Sequence, residues 1–122
     1  MSIWTRASLN RIALIGECSD YDYKELENNY IEPLKDLCEE LNLSIEYAPK
    51  DSYSTYYLVI HNNGSETGDT YYDGDISDLP VIRNDDTFYQ RTEDFIKKAI
   101  EIVPEIKDLK FEEAKARVFT FS

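Results

Sequence analysis

The spacing of apolar residues changes period several times along this chain, and each period predicts an element. RIALIGEC, residues 11–18, opens on an apolar run that Gly16 closes. It reads as a buried strand over residues 11–15. SDYDY follows, with Asp20 or Asp22 placed to cap a helix. Leu26, Tyr30, Leu34, Leu37 and Leu41 then recur at spacings of four, four, three and four, the stripe of an amphipathic helix. Tyr23 extends the stripe backwards. Pro33 interrupts it, so a kink or a restart is expected at residues 31–33.

LSIEYA, residues 43–48, alternates Leu43, Ile45 and Tyr47 with Ser44 and Glu46. Period two predicts a half-buried strand, and Asn42 is suited to end the helix before it. PKDS makes a turn, and TYYLVIH, residues 55–61, is a second strand rich in aromatic and β-branched residues. Asn62, Asn63 and Gly64 close it. Brief edge strands are expected at residues 69–72 and 79–83. Asn84, Asp85, Asp86 and Thr87 form a helix start, with carboxylates at the positive end of the dipole. Phe88, Thr92, Phe95, Ala99 and Val103 form the second stripe, widened by Ile96 and Ile100, until Pro104 stops it. EIKDLKFEEAKA is polar with room for a helical turn, and ARVFTF, residues 116–121, is a last strand.

This order predicts an α+β fold, a two-layer sandwich of a small mixed or antiparallel sheet of four to five strands and two main helices. The spacing suits a ferredoxin-like split βαβ arrangement. A flavodoxin-like open α/β sheet is the alternative. The short turn at residues 49–52 favours the first, because it makes the flanking strands antiparallel neighbours. Residues 1–122 are expected to form a single domain, with residues 64–86 as an acidic, glycine- and tyrosine-containing insert.

Charge changes the picture most. The formal net charge is −12 and the isoelectric point near 4.4. Such a field repels nucleic acid and anionic lipid, and it speeds encounter with basic proteins. No secretory leader or membrane-spanning run is read in the chain, so a cytoplasmic protein with free thiols at Cys18 and Cys38 is expected. The acid is concentrated in GSETGDTYYDGDISDLPVIRNDD, which sets Glu66, Asp69, Asp73, Asp75, Asp78, Asp85 and Asp86 against Arg83 alone.

Four uses of that segment compete. As a calcium loop beginning at Asp69 it places Tyr71 at position three and Pro80 at position twelve, where oxygen ligands are needed, so no metal is expected. Zinc has one histidine, two cysteines and no paired spacing to draw on. Gly16 stands alone after the first strand, without a phosphate-binding glycine motif, and acids follow it. No cofactor is expected. A Cys18–His61 pair oriented by Asp20 or Asp22 is the enzymatic alternative, against the plainer reading of a packed thiol and a strand-end imidazole; Cys38 lies on the helix stripe and is read as packing.

The fourth use is an interaction surface. Tyrosine supplies contact area at low entropic cost, and carboxylates supply anions for arginine or lysine. Tyr30, Tyr47 and at least one of Tyr56 and Tyr57 are expected in the core or at its rim. The reading favoured is a non-enzymatic acidic inhibitor. In its most concrete form it is a bacterial immunity (antitoxin-like) protein, of the contact-dependent inhibition kind, that occludes the substrate groove of a basic nuclease-type toxin. It acts as a monomer or as a heterodimer with that partner. Partner-binding residues are expected at Asp69, Tyr71, Tyr72, Asp73, Asp75 and Asp78, with Asp85 and Asp86 at the rim. A phage-encoded anti-defence protein mimicking nucleic-acid charge is the alternative with the same surface physics.

Overall fold

The computed structural model describes residues 4–17, 26–49, 55–62, 65–68 and 85–121. Strand β1, Trp4–Glu17, runs through the middle of a five-stranded sheet. It begins well before the strand expected at residues 11–15. The reason is that Ser8, Asn10 and Arg11 stand among its apolar residues and hide the alternation, yet all three are buried.

Strand β3, Thr55–His61, pairs antiparallel with the second half of β1, and β2, Ser44–Pro49, pairs antiparallel with the outer side of β3. On the other side of β1 lies β5, Lys115–Phe121, also antiparallel. Asn10 sits between His61 and Lys115, which fixes β3 and β5 on opposite sides of β1. A short strand that the periodicity did not announce, β4 at Ser65–Gly68, pairs antiparallel with β1 on the β3 side. The main order is thus β2-β3-β1-β5, with one helix between β1 and β2 and another between β3 and β5. This is the split βαβ arrangement. The flavodoxin-like alternative is corrected, because it requires parallel neighbours and each pairing between these strands is antiparallel. The edge strands expected at residues 69–72 and 79–83 lie outside the described residues.

The first helix restarts where proline demands it. A π-helical turn, Glu27–Ile31, leads into α1, Glu32–Glu40, whose first turn holds Pro33. The α register resumes after this wider turn, at a residue that brings no N–H to the helix. At the other end Asn42 takes φ +55°, the left-handed conformation that asparagine tolerates well. Its N–H donates to the Glu39 carbonyl at 3.1 Å, and that of Leu43 donates to the Cys38 carbonyl at 2.8 Å. These two bonds make a Schellman stop, and the chain leaves it directly into β2.

Helix α2, Phe88–Ile102, buries the stripe expected of it: Phe88, Thr92, Phe95 and Ala99 within the helix, Val103 just after it. Pro104 then starts a 3-10 turn, Pro104–Asp108, in the polar linker. Both helices pack on one face of the sheet. Leu34, Leu37, Phe88, Phe95 and Ala99 meet Ile45, Leu58 and Ile60 there, while Ile12, Ala48 and Val59 form a smaller cluster on the opposite face.

Phe95 has no exposed surface and sits in the larger cluster. Phe95→Ala is expected to cost about 3–5 kcal/mol, measured by urea unfolding. A loss below about 1 kcal/mol would place the main core elsewhere.

Candidate functional site

Of the residues expected to bind a partner, Asp69, Tyr71, Tyr72, Asp73, Asp75 and Asp78 lie outside the described residues. Asp85 and Asp86 stand just ahead of α2. Asp86 is exposed. Asp85 is turned inward, its side chain 14% accessible, and it joins three parts of the fold. Arg91 Nη2 donates to both of its oxygens at 2.7 Å, and Asn62 Nδ2 donates to Oδ2 at 2.7 Å. The Thr87 hydroxyl adds a longer bond of 3.4 Å. Burial pushes the Asp85 carboxyl up, but the hydrogen bonds from Arg91 and Asn62 and the charge of Arg91 outweigh it and hold the group below its ordinary value.

The partners of Asp85 are themselves anchored. Asn62 donates its backbone N–H to the Leu9 carbonyl at 3.2 Å, and its side-chain Oδ1 accepts from the Leu9 N–H at 3.1 Å. One amide side chain therefore stands in for a carbonyl of the ladder just past the end of β3. Arg91 Nη1 donates to the carbonyls of Leu41 at 3.2 Å and Asn42 at 2.6 Å. Those carbonyls belong to the turn that closes α1, where the helix leaves acceptors unsatisfied. The segment 84–87 is legible in sequence as a helix start; that Arg91 and Asn62 close on it is a tertiary fact without a local signal.

The most one-sided exposed charge among the described residues lies on the first helix, whereas residues 97–115 expose lysines and carboxylates together. Glu27, Glu32, Asp36, Glu39 and Glu40 are all exposed there, with Lys35 the one cation among them. Beside this face two open recesses, of about 320 and 230 Å³, run along β2. Ile31, Ile45 and Glu46 line both. Among the described residues Glu27 and Tyr47 also line the first, and Lys35, Cys38, Glu39, Leu43 and Ser44 the second. Ile45 packs with the helices and Tyr47 makes an edge-to-face contact with Tyr56, ring centroids 6.0 Å apart.

Buried polar groups elsewhere are tied down. Arg11, beneath α2, donates Nε to the Glu112 carbonyl at 3.0 Å and pairs with Glu93 at 3.2 Å. Its guanidinium lies 5.4 Å from the centre of the Tyr89 ring. The Tyr89 hydroxyl bonds to Glu93, which raises the tyrosine and lowers the carboxylate. On the opposite face of the sheet Arg117 donates to both oxygens of Asn10, whose amide donates to Ser8. His61, 1% exposed, sets Nε2 3.3 Å from a Glu46 oxygen.

Of the residues named for the enzymatic alternative, the structure describes His61. Cys38 is a buried free thiol, and burial pushes it up to about 12, far from the thiolate that reacts. Cys18, Asp20 and Asp22 lie outside the described residues. His61 already faces Glu46 from a closed position. Among the described residues no three His, Cys, Asp or Glu side chains gather to hold a metal ion, and no helix is long and apolar enough to cross a membrane. No protein-family model, curated protein or solved structure matches the chain.

The Asp85 junction carries a prediction with a definite sign. A carboxylate held below its ordinary value in the folded state stabilises fully above about pH 4 and loses that contribution as pH falls through its lowered folded value. Asp85→Asn is expected to cost about 2 kcal/mol at pH 7. Urea unfolding of both proteins should show the gap narrowing towards pH 2–3; a gap constant with pH means that the charge of Asp85 is not what holds the junction.

Proposed function

We propose that the protein is an acidic protein-binding inhibitor, in its most specific form an immunity protein that neutralises a basic nuclease-type toxin. The observation that carries this reading is the first helix, whose exposed face sets Glu27, Glu32, Asp36, Glu39 and Glu40 against Lys35 alone and borders an open, partly apolar groove. Carboxylates at such a surface attract a cationic partner over a distance and then take the places that phosphates occupy in a nuclease groove. The groove adds apolar area to a contact that charge alone would leave weak and salt-sensitive.

The acids of residues 64–86 belong to the same proposal. Asp69, Asp73, Asp75 and Asp78, with Tyr71 and Tyr72 between them, are proposed to offer the partner further anions and phenol rings. Asp86 adds one more anion. Asp85, committed to Arg91, acts by holding α2 in place.

Capture from the lysate and secreted fraction of the source cell is expected to yield a basic nuclease that the protein inhibits in a cleavage assay. The association rate should fall at least about tenfold between about 0.01 and 0.5 M salt. Neutralising the helix face as Asp36→Asn, Glu39→Gln and Glu40→Gln, or the insert as Asp73→Asn, Asp75→Asn and Asp78→Asn, should slow association several-fold in stopped flow without unfolding the chain. Association indifferent to salt and to both sets of changes would overturn the reading.

A further inference from the structure

We infer that Tyr89 is a preformed anchor for an arginine side chain of the basic partner, which stacks on the outward side of its ring. The inference rests on the acidic-inhibitor reading above and adds a contact apart from the first-helix face. Side chains two positions apart on a helix point about 200° apart. Arg91 reaches the carbonyls that close α1, whereas Tyr89 lies over Arg11 of β1. Tyr89 is 55% exposed, and the stripe that α2 buries is made without it by Phe88, Thr92, Phe95 and Ala99. Even so, it is held on two sides. Its hydroxyl bonds to Glu93 one turn on, and the Arg11 guanidinium lies 5.4 Å from the ring centre. Arg11 is itself buried and fixed by the Glu112 carbonyl, the Thr92 hydroxyl and Glu93. An exposed aromatic side chain that is already held in place loses little entropy on binding, so it suits the centre of a contact.

The chemistry around the ring selects the occupant. Arg11 is buried beneath α2 and takes the inward side, so the accessible part of the ring faces outward. The face of a phenol ring is electron-rich and attracts a cation. Arginine suits it better than lysine, because the guanidinium is flat, weakly hydrated and able to fork onto a carboxylate while it stacks. Glu93 balances Arg11 at 3.2 Å, so the inner cation is already matched. The hydrogen bond to Glu93 and the charge of Glu93 hold the phenol above its ordinary value, which keeps it protonated. Glu113, whose charge also reaches the hydroxyl, and Asp86, three positions before Tyr89, are exposed and supply anions for a second cation. Lys97 acts on Glu93 from one turn further along the helix. A partner surface rich in carboxylates is repelled by the same groups.

The test uses the full chain and two capped tripeptides, tri-arginine and tri-lysine, followed by NMR at low salt. On titration with tri-arginine the Tyr89 ring protons should shift. The peptide's arginine Hδ protons should move upfield, the ring-current mark of stacking that charge attraction alone leaves unmoved. Tri-arginine should bind at least about threefold more tightly than tri-lysine, which carries the same charge. Tyr89→Leu leaves the buried stripe of α2 intact and should remove most of the upfield shift. Asp86→Asn with Glu113→Gln should weaken binding about threefold or more while the shift at saturation persists. An upfield shift unchanged by Tyr89→Leu, or equal affinity for the two peptides, overturns the anchor. So do Tyr89 ring protons that stay still at millimolar tri-arginine. The salt dependence of partner capture decides the acidic-inhibitor reading separately, because the first-helix face contributes to it without Tyr89.

Discussion

Asp85 is the point on which the two halves of this fold meet. Its carboxylate receives Arg91 from α2 and Asn62 from the end of β3, and each of those reaches one element further. Arg91 ends on the carbonyls that close α1, and Asn62 completes the ladder at Leu9 of β1. One anion thus fixes both helices against the centre of the sheet. A charge-assisted network of this kind is worth most when every member is satisfied, because a half-made one leaves buried polar atoms unpaired. Apolar packing between the helices and the sheet supplies the bulk of the stabilisation but tolerates sliding. The Asp85 junction supplies direction, since donors and acceptors must meet at fixed angles.

A chain with net charge −12 folds against its own repulsion. The described structure handles this by giving its inward-facing cations to specific acceptors. Arg11 is held by Glu93 and the Glu112 carbonyl, Arg91 by Asp85, and Arg117 by Asn10 and Glu112. Three arginines are thereby spent inside, which leaves the exposed first-helix face with a surplus of carboxylates. The internal ion pairs and the acidic surface are two sides of one distribution of charge.

The helices and most strands were legible in the sequence because their patterns are periodic and local. Phe88, Thr92, Phe95, Ala99 and Val103 line up at helical spacing and are buried as such. Pro33, Asn42 and Pro104 mark boundaries through backbone geometry that each imposes or permits alone. The first seven residues of β1 were not legible, since Ser8 and Asn10 are polar in sequence yet buried, bonded to each other and, at Asn10, to the distant Arg117. The same holds for the candidate site. Acidity on the first helix can be counted from the chain, but the recesses beside β2 exist only once Ile31 and Ile45 are brought together across the sheet edge. Asp85 shows the reverse case: in sequence it reads as one more exposed acid, yet in the fold its carboxylate is taken up by Arg91 and Asn62.

An unpaired strand edge is ordinarily a hazard, and proteins blunt it with charge, proline or a covering segment. Strand β2, terminal among the described strands, carries no lysine, and its proline stands at the end, Pro49. Its carboxylate is Glu46, 3.3 Å from His61 Nε2, with Glu27 and Glu39 lining the recesses beside the strand. In a chain this acidic, carboxylates guard against one class of partner only. Another copy brings the same sign of charge to the edge and is repelled, whereas a cationic partner is drawn in. Repulsion of a second copy and attraction for a basic partner therefore come from the same side chains.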